Sequence, residues 1–97
     1  MHPVTNKNIF MKVAVWDTYV QKKDGSTMHF DIIVPDTITN DATIYTMGRE
    51  YLKTKQQEGQ PLSAKECQFC HMEAATPQIE AAISKNGYFI LEMENCN

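Results

Sequence analysis

No stripe of lysine or arginine runs along this chain. Its 97 residues carry 9 basic against 12 acidic side chains, a net charge of −3. Binding driven by phosphate neutralisation needs a clustered positive footprint, so no nucleic-acid partner is expected. Long apolar runs are also missing: none approaches the ~20 residues that span a bilayer, so no membrane partner is expected. The opening MHPVTNKNIF holds a lone Lys7 and lacks the apolar stretch of an export signal, which points to a cytoplasmic setting. Residues 1–10 read as a loose polar tail and residues 11–97 as one small domain. A chain of this size buries roughly two-thirds of its unfolded surface, enough for a single core. Low-complexity segments and internal repeats are absent.

What is present is patterned. KVAVWDTYVQ (12–21) and TMHFDIIVP (27–35) are rich in β-branched and aromatic residues and read as two strands, joined through Lys23-Asp24-Gly25. A type I turn closed by Gly25 makes a three-residue hairpin loop, which pairs residues whose numbers sum to a constant. Trp16 then faces Ile32, Thr18 faces Phe30 and Val20 faces Met28, an almost wholly apolar face. The other face carries Val13, Val15, Asp17 and Tyr19 beside His29, Asp31 and Ile33. A slip of one residue would mix Asp17 into the apolar set, so the pattern selects this register.

ATIYTMGREYLKTKQQ places Ile44, Gly48, Tyr51 and Leu52 on one helical stripe, and mid-helix Gly48 implies close approach to the sheet. LSAKECQF is expected to form a third strand running up to the cysteines. Thr76 as N-cap, Pro77 at the first helical position and Gly87 after the last turn bound a second helix with Ile79, Ala82 and Ile83 inward. YFILEME is expected to close the fold as an interior strand. The order β-β-α-β-α-β, with a crossover from strand three to strand four, predicts an α/β (α+β) two-layer sandwich. Its sheet is expected to be mixed, four-stranded, with both helices on one face.

Cysteine is scarce, but two of the three residues fall in ECQFCH, a C-x-x-C-H spelling shared by haem attachment, zinc knuckles and redox dithiols. Haem attachment normally follows export, so haem is not expected. Zinc would take Cys67 and Cys70, with His71 or Cys96 completing the set, provided the strand ends near Gln68 and curls. In a continuous strand the two thiols point to opposite faces, and Cys67 is then an ordinary core residue. A redox dithiol needs a lowered thiolate pKa, and Cys70 lies six residues before the N-cap Thr76. A second constellation sits on the hairpin, where Asp17 opposes Asp31 and Tyr19 opposes His29. Opposed carboxylates are unfavourable unless a proton or cation offsets them, and with a His and a Tyr they are a candidate set for general acid–base work. No G-x-S-x-G, phosphate-cradling glycine loop or H-E-x-x-H specifies an enzyme class.

VAVWDTYV, DG, MHFDIIVP, ECQFCH, ATPQIEAAI and the closing YFILEME-x-C together resemble a small family of bacterial proteins known only as a domain of unknown function. The resemblance runs from Met11 to Cys96 and implies a small α/β fold in a bacterial cytosol; it implies no activity. Two function classes follow. One is a non-enzymatic binding or interaction module, with or without zinc, for a protein or small-molecule partner. The other is a thiol-redox protein or small enzyme using the Cys67/Cys70 block or the Asp17/His29/Asp31 cluster. Composition leaves the oligomeric state open.

Overall fold

The computed structural model describes residues 11–97, and the tail expected over residues 1–10 lies outside the described residues. Strands β1 (Lys12–Gln21) and β2 (Thr27–Pro35) form the hairpin. In its turn Gly25 adopts φ 93°, and Asp24 Oδ1 accepts from both the backbone N and Oγ of Ser26, at 2.9 and 2.7 Å. The pairing is the one the apolar pattern selects: Ala14 opposite Val34, Trp16 opposite Ile32, Thr18 opposite Phe30, Val20 opposite Met28.

Helix α1 (Asp41–Thr54) starts at Asn40, whose Oδ1 accepts from Ala42 N at 2.9 Å. It buries the expected stripe, Ile44, Gly48, Tyr51 and Leu52. Ile44, Tyr51 and Leu52 join Trp16, Val20, Met28, Phe30 and Ile32 in the larger core cluster. Gly48 sits at a close approach: a Cβ there would stand 2.6 Å from Leu62 Cδ1 and 3.0 Å from Ile32 Cδ1, so those side-chain ends would have to shift.

Helix α2 (Pro77–Asn86) is punctuated as expected, with Thr76 Oγ1 accepting from Ile79 N at 3.2 Å and Gly87 closing the C-terminus. Its Ile79 and Ile83 pack with Val13, Val15 and Ile33, the apolar residues of the hairpin's second face, and with Ala75 after β3. The helices therefore cover opposite faces of the sheet, not one face. Val13, Val15 and Ile33 are the physical reason, since apolar residues on both faces need cover on both.

The sheet also differs from expectation. Strand β3 is Cys67–Ala74 and begins at the first cysteine; residues 62–66, read as strand, form a turn in which Glu66 Oε1 accepts from Ser63 N at 2.9 Å. Strand β4 is Phe89–Glu94, and the strand order is β3-β1-β2-β4. Every neighbouring pair is antiparallel, so the sheet is not mixed, and β4 is an edge strand, not an interior one. The hairpin lies between β3 and β4, and the α2 connection crosses beneath it without making a parallel pair.

Gly48→Ala trades about 1 kcal/mol of helix propensity against an overpacking cost of about 1–3 kcal/mol. The expected net effect is a destabilisation of about 1 kcal/mol in chemical denaturation. Because Leu62 is the nearest obstacle, combining the change with Leu62→Ala should cost less than the two singles added together.

Candidate functional site

The hairpin register brings three polar side chains of the second face together. His29 Nε2 lies 2.6 Å from Asp17 Oδ1 and 3.9 Å from Asp31 Oδ1. The Tyr19 ring stacks on His29, with centroids 4.1 Å apart and planes 11° from parallel. One ligand atom from each of Asp17, His29 and Asp31 falls within 4.8 Å of the others, and all three residues are half-buried. Asp31 is the strained member. Burial first, then the hydrogen bond and charge of Asp17, push its carboxyl up to about 6, while His29 and His71 pull the other way. Desolvation and the charges of Asp17 and Asp31 raise the Tyr19 hydroxyl.

The proposed thiolate set is not gathered. Cys67 is buried on the first face, where its Sγ accepts from Thr18 Oγ1 at 3.3 Å, and burial pushes its thiol pKa up. Two residues later the pairing with β1 shifts: Phe69 stands opposite Trp16, His71 opposite Val15, and Cys70 is the extra residue of a bulge. The bulge turns the exposed Cys70 to the side of His71, with Sγ 3.2 Å from Nδ1. Cys67 and Cys70 thus occupy opposite faces, and neither belongs to the group of ligand atoms formed by Asp17, His29 and Asp31. Cys96 is buried after β4, and its Sγ donates toward the carbonyls of His29 and Glu94, each at 3.3 Å.

The same bulge makes a grouping that the spacing alone hid. His71 Nε2 lies 2.7 Å from Glu73 Oε1, giving a Cys70–His71–Glu73 row along the β3 edge. Glu73 escaped sequence reading because residues 71–74 were not assigned to a strand; once they are, the period of two aligns His71 with Glu73. Elsewhere, Glu92 accepts from the Tyr51 hydroxyl and meets Lys55 Nζ at 2.9 Å, contacts that lower its carboxyl pKa and tie α1 to β4. Three clefts among the described residues lie away from Asp17, His29 and Asp31. Two flank the 57–66 segment, and one is an apolar cleft beside Trp16, Phe69 and Met72.

Fold and site together define a small α+β domain: a four-stranded antiparallel sheet, one helix on each face, and a cluster of ionisable groups left open at one end. The family model described as a domain of unknown function, DUF2024, matches residues 11–93, and the chain belongs to that family. It is similar to the NMR structure of protein NE1680 from Nitrosomonas europaea, at 41% identity and a TM-score of 0.79. That match covers 90% of this chain and 100% of the other. No curated protein matches the chain. Among the described residues no helix is long and apolar enough to cross a membrane.

The Asp31 shift sets a pH dependence for the metal-free protein. A carboxyl raised from 3.8 to about 6 keeps its proton in the folded state after the unfolded chain has lost it. Stability is therefore expected to fall as pH rises from about 4 to about 6, and to show no further loss from this group above that window. Asp31→Asn should remove that slope and stabilise the protein at neutral pH by about 1–2 kcal/mol, less than the full shift implies because the group is partly solvated. Urea denaturation of metal-free protein across the window measures both effects.

Proposed function

We propose that this chain is a non-enzymatic binding module that carries a divalent metal ion, zinc in the first instance, on the open end of its second sheet face. Asp17, His29 and Asp31 would hold it. The observation that supports this reading is the convergence of their ligand atoms within 4.8 Å on two adjacent strands. Two carboxylates and an imidazole suit zinc chemically, and a dication would offset the desolvation and the Asp17 repulsion that raise the Asp31 carboxyl. Three protein ligands leave a fourth position free, which in a pocket would favour catalysis. Here the cluster lies outside those three clefts and its side chains are partly exposed, so the free position is open to a carboxylate, an imidazole or water brought by a partner. The zinc expected at Cys67 and Cys70 moves, in this reading, to the hairpin.

The alternative, a thiol-dependent enzyme, is favoured by one arrangement, Cys70 beside His71 with Glu73 behind it. An imidazole within hydrogen-bond distance of an exposed thiol is how such nucleophiles are activated.

Thermal unfolding of chelator-stripped protein with and without zinc separates the two. A zinc concentration about a hundredfold above Kd is expected to stabilise the fold by about 2.7 kcal/mol. His29→Ala and Asp31→Asn should abolish that gain, whereas Cys67→Ser and Cys70→Ser should retain it. No zinc-dependent rise, or one that Cys70→Ser removes and His29→Ala does not, defeats the metal assignment.

A further inference from the structure

We infer that the β3 edge is a self-association surface on which a second copy of this chain docks strand to strand. β3 is an outer strand, and among the described residues nothing pairs with its free side. Natural edges are blunted by lysine, proline, inward charge or a bulge; CQFCHMEA contains neither Lys nor Pro, and its bulge at Cys70 leaves the stretch from His71 to Ala74 regular. It instead exposes Phe69 at 48% and Met72 at 50%, beside an apolar cleft shared with Trp16 and Ile38.

The backbone phase fixes where a copy fits. Ala75 N donates to Met11 O at 2.8 Å, so Ala75 faces β1. By the alternation of antiparallel ladders Glu73 and His71 also bond inward, leaving Met72 and Ala74 to present N–H and C=O outward. A two-fold axis at Met72 pairs it with the partner copy's identical residue through those outward groups. In that register each His71 stands opposite the other copy's glutamate at position 73, in the non-hydrogen-bonded type of pair whose side chains approach most closely. The contact that His71 now makes with its own Glu73, at 2.7 Å, is exchanged between copies with its number unchanged, so the pair sets the register while the outward N–H and C=O groups supply the new bonds. The axis falls within the regular stretch from His71 to Ala74, beyond the bulge at Cys70.

The opposite edge lacks this complementarity. β4 reads FILEME, with Glu92 and Glu94 and no cation of its own, so a second β4 would bring acid toward acid. The hydrogen-bonding complementarity of His71 and Glu73 therefore selects β3, and a two-fold contact there closes at a dimer with one sheet continuous across both copies. The Asp17/His29/Asp31 cluster stays uncovered, because it lies on β1 and β2.

Sedimentation equilibrium of the full chain over a wide concentration range tests the proposal, with a reversible monomer–dimer equilibrium as the expected result. His71→Glu turns two attractive cross-strand pairs into two repulsive ones and should weaken the dimer about tenfold. Combining it with Glu73→His restores opposite partners and should recover the dimer. Should His71→Glu fail to fold, Met72→Lys places like charges on the axis, and loss of the dimer in a folded protein supports the proposal equally. The proposal is overturned by a chain that stays monomeric, whether its edge is open or taken by another segment. It is equally overturned by a dimer that survives His71→Glu or Met72→Lys, or by a charge exchange that recovers nothing.

Discussion

The pairing register of one hairpin governs the rest of this molecule. With Asp24 and Ser26 tying the turn and Gly25 at φ 93°, Thr18 is held opposite Phe30 and Asp17 opposite Asp31. Strand side chains alternate with a period of two, so a one-residue slip would send Trp16, Thr18 and Val20 to the face of Asp31. The larger core would lose Ala14, Trp16 and Val20, and the acid–imidazole cluster would scatter. Because α1 packs on one face and α2 on the other, both helices inherit their places from that register.

The hairpin, the two helices and the α1 stripe were legible because their determinants are local. Turn chemistry at Lys23 to Gly25, the Thr76–Pro77 cap and the spacing of Ile44, Gly48, Tyr51 and Leu52 each act within a few residues. Strand order is not local. Whether β3 joins β4 or the outer side of β1 depends on contacts between segments far apart in the chain, which no propensity records. One clue to the layers was present: Val13, Val15 and Ile33 share the hairpin's second face and cannot be left in water. Two apolar faces on a hairpin call for two covers.

The cysteine motif shows where spacing misleads. C-x-x-C carries chemical meaning when the chain turns between its thiols, and here it lies within an extended strand. A plain strand would already separate Cys67 from Cys70. The bulge adds a further effect by placing Cys70 and His71 together. Bulges have no dependable spelling, so the row from Cys70 to Glu73 became visible only with the pairing of β3 against β1. Asp17, His29 and Asp31 were legible as neighbours because the register alone determines them.

Why the cluster is open at all comes down to length. β1 has 10 residues and extends about 33 Å, whereas the 10 residues of α2 extend only about 15 Å. The helix covers Val13, Val15 and Ile33 and cannot reach the far half of the same face, where Asp17, Tyr19, His29 and Asp31 stand. A longer helix there would have to bury two carboxylates and an imidazole, at a desolvation cost that few contacts offset. The polar residues and the short cover therefore require each other. Asp31 records the intermediate state: buried enough for its proton to be held to about 6, yet near enough to the open end for an ion or a partner group to reach it.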